Sequence, residues 1–150
     1  VNSTVVIDTN IWLDWLVFND PGVTRLRAEV AAGRLRIAAT PVMRAELLAV
    51  LQRPLILAQH GDAQACIAGF DAVAALNAAA PACGLRCTDP DDQAFIDLAC
   101  HLRAGWLLSK DRALLRLARQ ARARHGLQVL TPVQFDAAYN QPPCALPEPP

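Results

Sequence analysis

Aromatic residues are scarce in this chain, with three Trp, four Phe and one Tyr among 150 residues. Any stacking on a ligand must therefore fall on very few positions. No apolar run approaches the roughly 20 residues a membrane-spanning helix needs, because Asp or Arg interrupts every hydrophobic stretch. Net charge is also absent, since 14 basic residues balance 14 acidic ones. The field of the whole molecule then does not attract a polyanion. Binding to one has to come from a local basic patch, or from metal ions that reverse the sign of an acidic one. Cysteine is present at five positions, Cys66, Cys83, Cys87, Cys100 and Cys144. Their odd number and the lack of any CxxC pair argue against zinc and redox motifs. They read instead as reduced thiols of a cytoplasmic protein, several of them in its core. Neither a GxGxxG nor a Walker-type loop occurs, so the usual nucleotide cradles are not expected. The chain opens straight into Val5-Val6-Ile7 with no basic leader-like region, and a secretory signal is not expected. These features predict a soluble, cytoplasmic enzyme or binding module without membrane attachment. Residues 1–140 are long enough to build one domain around a single core, and residues 141–150 read as a Pro-rich, disordered tail.

What is there is an alternation of strands and helices. Val5-Val6-Ile7 is a short apolar run of the kind buried on both faces of a parallel sheet, and it ends at Asp8. A helical stretch follows from Asn10 to Val17. Asp20-Pro21 then opens a helix over 22–32 that stops at Gly33. Arg36-Ile37-Ala38-Ala39 predicts a second strand. Thr40-Pro41 caps a helix running to Arg53, where Pro54 ends it. Asp62 caps a long Ala-rich helix reaching about Ala78, after which a short strand is expected near Leu85. Residues 91–102 have helical spacing, Trp106 to Ser109 reads as a buried strand, and one helix is expected from Lys110-Asp111 to about His125. Gln128-Val129-Leu130 is the last strand, and Thr131-Pro132 opens a short final helix. The pattern predicts an α/β fold with three α/β/α layers and a central parallel sheet of about five strands.

In such folds ligands sit beyond the carboxyl ends of the strands, and acidic residues lie there. Asp8 ends the first strand, Asp111 follows the strand containing Trp106, Glu46 lies inside the helix after the second strand, and Asp92 follows the acidic loop Asp89-Pro90-Asp91. Carboxylates gathered in one place raise one another's pKa, and a divalent cation relieves the repulsion. A set of carboxylate oxygens suits Mg2+ or Mn2+ rather than zinc. Bound metal would activate water and polarise a phosphodiester. Each acid also has a plain structural reading. Asp92 and Asp111 could be helix N-caps, Glu46 a solvated side chain beside Arg44, and Asp8 a purely structural residue.

The residues that carry this pattern resemble the motifs of PIN-domain ribonucleases. Val-Val-Ile-Asp8-Thr9-Asn10-Ile-Trp-Leu resembles the opening strand of that family, and Pro41-Val-Met-Arg-Ala-Glu46-Leu47 its helix bearing the second acid. Asp89-Pro90-Asp91-Asp92-Gln-Ala-Phe95 and the later Trp-Leu-Leu-Ser109-Lys110-Asp111 are similar to the third and fourth acidic motifs, and Thr131-Pro132-Val-Gln-Phe135 to the closing segment. The motifs span about residues 4–136. The Asp-Pro-Asp-Asp stretch is closest to VapC-like toxins of toxin–antitoxin pairs. The resemblance implies Mg2+- or Mn2+-dependent cleavage of single-stranded RNA, a small antitoxin partner and a homodimer. It also implies that Asp8, Glu46, Asp92 and Asp111 are metal-binding, catalytic acids, with Asn10 and Ser109 in support. For Asp89 and Asp91 a loop-shaping role is favoured over a second metal.

Arg112, Arg116 and Arg119 fall at i, i+4 and i+7 and would share one helix face, a possible RNA track after Asp111. A solvated basic helix end is the competing reading. Trp12, Trp15 and Tyr139 could stack on bases, although the helical spacing of the two Trp favours packing or a dimer contact. Two other functions compete with the nuclease: a catalytically silent RNA-binding domain of the same fold, and an aspartyl-phosphate phosphatase or receiver domain. The phosphatase would want a second Asp two residues beyond Asp8, where this chain has Asn10.

Overall fold

The computed structural model describes residues 3–140. Residues 141–150, read from sequence as a tail, lie outside the described residues, as does Cys144. Strand β1 (Thr4–Ile7) is followed by α1 (Thr9–Leu16), a 3-10 turn Pro21–Val23, α2 (Thr24–Ala31) and β2 (Arg36–Ala39). Next come α3 (Pro41–Leu51), α4 (Pro54–His60), α5 (Ala63–Val73) and β3 (Ala74–Leu76). The second half holds a 3-10 turn Pro90–Asp92, α6 (Gln93–His101), β4 (Trp106–Leu108), α7 (Arg112–Leu115), α8 (Ala118–His125), β5 (Gln128–Leu130) and α9 (Pro132–Asn140). All strand pairings are parallel, in the order β3-β2-β1-β4-β5. The α/β/α architecture with a five-stranded parallel sheet is therefore the one the sequence pattern predicts.

The inner strand β1 explains itself: Val5 and Val6 are fully buried and Ile7 nearly so, since helices cover both faces of the sheet. Helices α1, α3 and α5 pack against one another, α6 lies over β1 and β4, and α8 over β5. Trp12 stacks on Phe70 at 4.6 Å between ring centroids and is almost fully buried, so it is a core residue rather than a base platform. Tyr139 is likewise committed, donating its hydroxyl to Glu29 at 2.8 Å and packing on Phe135 and Trp106. The four described cysteines are all free thiols, with Cys87 and Cys100 buried.

Four expectations are corrected. The Ala-rich helix stops at Val73, and Ala74–Leu76 forms the edge strand β3 instead, paired with β2 at Ile37↔Ala74 and Ala39↔Leu76. Alanine favours helix locally, but the open edge of β2 offers backbone partners that outweigh propensity. No strand forms near Leu85, which is buried in a loop. Pro54 does more than end a helix, because it occupies the first turn of α4, a helix the sequence reading did not anticipate; Gly61 closes α4 in the left-handed region at φ 72°. Finally, the basic helix expected from 110 to 125 is two helices. Leu117 N–H bonds the Leu114 carbonyl at 3.0 Å, and this tight turn separates α7 from α8.

Phe70 joins α5 to α1 through Trp12, with no exposed surface of its own. Phe70→Ala is expected to lower the unfolding free energy by about 3–5 kcal/mol, measured as a fall in urea midpoint at constant m. A loss below about 1 kcal/mol would contradict this packing.

Candidate metal centre

The site grows from the order of the strands. The chain lays down β1, β2 and β3 outward on one side, then crosses back to place β4 and β5 on the other side of β1, so the strand order switches between β1 and β4 and leaves a crevice at their carboxyl ends. Register pairs Ile7 with Leu108. The next residues, Asp8 and Ser109, therefore meet, and the Ser109 hydroxyl donates a short hydrogen bond to Asp8 Oδ2. Asp8 Oδ1 accepts the Ile11 N–H at 3.0 Å, which caps α1. Ser109 Oγ in turn accepts the Asp111 N–H at 2.9 Å. One buried serine thus ties the Asp8 side chain to the backbone of Asp111. Asp8 is only 3 % exposed, and burial pushes its pKa up, against the lowering effect of these hydrogen bonds.

Asp111 caps α7 by accepting the Ala113 N–H at 2.8 Å, and Asp89 caps the following 3-10 turn by accepting the Asp91 N–H at 3.0 Å. Asp92 stands at the N-terminus of α6 but makes no capping bond. Its Oδ2 is buried and has no hydrogen-bond partner. One carboxylate oxygen each from Asp89, Asp92 and Asp111 lies within 4.8 Å of the others. Burial first, then the charges of Asp111 and Asp89, push the Asp92 pKa up to about 7. An oxygen set of this kind, with a desolvated oxygen lacking any donor, fits a hard divalent cation such as Mg2+ or Mn2+.

Asp89 and Asp92 of this trio line a cleft of about 680 Å³, whereas Asp111 and Asp8 are not among its lining residues. Its acids are Glu46, Asp89, Asp91 and Asp92; Thr9, Asn10 and Arg53 add polar groups, and Leu13, Val50, Ile56 and Phe95 an apolar wall. Glu46 is exposed on α3 and lines this cleft without belonging to the clustered trio. Asn10 is exposed and lines it too. Asp89, for which a loop role was favoured, both shapes its turn and enters the trio. Sequence offered no means of ranking it above Asp91, since the choice depends on which carboxylate the 3-10 turn aims inward. A brace from α6 fixes the segment that leads into that turn. Gln93 Oε1 accepts the Cys87 N–H at 2.7 Å, while its Nε2 donates to the Leu85 carbonyl at 2.8 Å and to Asp97 Oδ1 at 2.9 Å. Asp97 Oδ1 also accepts the Cys83 N–H at 3.1 Å. Arg112, Arg116 and Arg119 are exposed and are divided between α7, its C-cap and α8, and none of them lines the cleft.

Without a cation, Asp92 makes stability fall as pH rises. The folded state keeps its proton up to about pH 7, whereas the unfolded chain releases it near the ordinary value of 3.8. The unfavourable contribution therefore grows between those two values and is constant above them. Asp92→Asn is expected to stabilise the metal-free protein at pH 8 by on the order of 1–2 kcal/mol after solvent screening. Denaturant melts should show that difference shrinking towards pH 4; a difference of opposite sign at pH 8 would contradict the crowding of these acids.

None of the curated proteins matches the chain. The PIN domain family profile matches residues 4–113, from the start of β1 into α7, which is well over half of the chain though short of the 4–136 span of the motifs. The chain therefore belongs to the PIN domain family, whose members are generally metal-dependent nucleases.

Proposed function

We propose that the protein is an endoribonuclease that hydrolyses single-stranded RNA with Mg2+ or Mn2+ bound among Asp8, Glu46, Asp92 and Asp111, to which Asp89 is added. The observation that carries this reading is the buried, donorless Oδ2 of Asp92 beside the carboxylates of Asp89 and Asp111. A divalent ion held there supplies Lewis acidity towards the phosphodiester and lowers the pKa of an attacking water. The protein's part is to present oxygens and keep them apart. Asp89, Asp92 and Asp111 offer ligand atoms, and the capping bonds of Asp89 and Asp111 hold their free oxygens towards the trio. Ser109 fixes Asp8 as a carboxylate whose negative potential reaches Asp111 and Asp92. Asn10 and Glu46 line the same cleft, which supports roles in orienting a bound water or the RNA strand.

Within this reading the protein is the toxin of a type II toxin–antitoxin pair, acting in the cytoplasm as a homodimer. The Asp-Pro-Asp-Asp stretch at 89–92 supports the toxin assignment. The free thiols are in keeping with a reducing compartment. Leu55, 84 % exposed on α4, offers apolar surface to a second copy or to a small antitoxin that would cover the acidic cleft.

Cleavage of a labelled single-stranded RNA should require Mg2+ or Mn2+ and stop in EDTA. Asp92→Asn and Asp111→Asn should each reduce the rate by at least about 100-fold, with circular dichroism unchanged. Metal-dependent cleavage that survives both substitutions would sink the site assignment. RNA binding without any cleavage by the unaltered protein would favour a silent RNA-binding domain. For the toxin role, induced expression should arrest growth, and a small antitoxin-like gene should lie beside this one and relieve the arrest when co-expressed; no such gene, or no relief, would contradict that role.

A further inference from the structure

Two cations on the elements around the cleft are already neutralised within the protein. Arg44, on the same helix that carries Glu46, holds Asp71 through two bonds of 2.7 and 2.8 Å. Lys110, next to Asp111, is paired with the buried Asp14 at 2.5 Å. Arg53 differs. It is the one basic residue lining the cleft, it is exposed, and among the described residues its guanidinium has neither an ion pair nor a hydrogen bond. Its backbone, however, is fixed at the corner between α3 and α4. The Arg53 N–H bonds the Val50 carbonyl at 3.0 Å, its carbonyl accepts the Leu57 N–H at 2.8 Å, and Pro54 locks the first turn of α4 behind it. Beside it, Val50 and Ile56 present an apolar wall, across a cleft that also holds Asp89, Asp91 and Asp92.

We infer that Arg53 is the substrate-binding cation of the cleft, gripping a non-scissile phosphate of the RNA strand whose scissile phosphate lies at the acidic trio. The reasoning is electrostatic. A cleft carrying Glu46, Asp89, Asp91 and Asp92 repels a polyanion, and metal at one end offsets that repulsion only locally. The rest of the strand needs a cation that is not already spent on a protein carboxylate. Guanidinium suits the task because its fork of donors matches phosphate oxygens and it never deprotonates. An apolar wall next to it gives the adjoining nucleotide a surface to lie on. Arg112, Arg116 and Arg119 lie outside the cleft and do not serve this role.

This inference rests on the ribonuclease reading, and one kinetic comparison separates the two. Single-turnover cleavage of a labelled single-stranded RNA by the full chain with Mn2+ would be followed over a range of salt. Wild type, Arg53→Ala, Arg53→Lys and Arg119→Ala would be compared. Arg53→Ala should raise the half-saturating concentration by about tenfold and flatten its log–log salt dependence by about 0.7, the value of one lost phosphate contact on a single strand. The maximal rate should stay within about twofold, and calorimetric Mn2+ affinity should be no weaker, because a neighbouring positive charge has been removed. Arg53→Lys should recover most of the salt slope, and Arg119→Ala should behave as wild type. Unchanged half-saturation and salt slope in Arg53→Ala, in a protein that cleaves, would overturn the role of Arg53 alone. No metal-dependent cleavage by wild type would overturn the ribonuclease reading, and this inference with it.

Discussion

The parallel pairing of β1 with β4 is the constraint on which the rest of the site depends. These strands are neighbours in the sheet, yet the hydrogen bond that continues their register, from Ser109 to Asp8, spans 101 residues of chain. Because Ile7 sits opposite Leu108, the first residues past each strand are brought together where backbone pairing ends. Ser109 then does two jobs with one hydroxyl, donating to Asp8 and accepting from the Asp111 backbone. A hydroxyl is suited to this, being donor and acceptor at once. Any shift of register by one residue would turn these side chains to the opposite face of the sheet and dissolve the arrangement.

Around that link the protein tolerates an unfavourable concentration of negative charge. Caps spread part of it, since Asp8, Asp89 and Asp111 each accept a backbone N–H at a helix or turn start, where the dipole favours an anion. Asp92 has no such relief and responds by holding its proton to about pH 7. That is the expected sign of a group organised for a ligand rather than for stability. The same division runs through the cations. Arg44 and Lys110 are bound to carboxylates of the scaffold, which leaves Arg53 with its charge unshared at the cleft.

Much of this was legible in the chain. Consecutive β-branched residues at Val5-Val6-Ile7 can only be satisfied by burial on both faces, so a parallel sheet with Asp8 at its carboxyl edge follows from hydrophobic patterning. Asp20, Thr40 and Asp62 followed by helical spacing marked true helix or turn starts, because capping is a local interaction. The errors fall where local preference met a long-range demand. Ala74–Leu76 reads as helix and becomes strand because β2 needs a partner on its open edge. The separation of α7 from α8 is set by a turn that no proline or glycine announces.

The sequence by itself determined the alternation of elements and the presence of acids after the strands, since both follow from short-range chemistry: burial period, caps and turn formers. Only the tertiary structure decided which acids meet. Asp89 joined Asp92 and Asp111 at a 3-10 turn that it caps, after a segment Gln93 braces at Leu85 and Cys87, whereas Glu46 came to line the cleft outside that trio. That the cleft's own arginine, Arg53, keeps its charge unshared was decided at the same level. Whether an arginine is free depends on which carboxylates the fold brings within reach, and for Arg44 the answer was Asp71, 27 residues away.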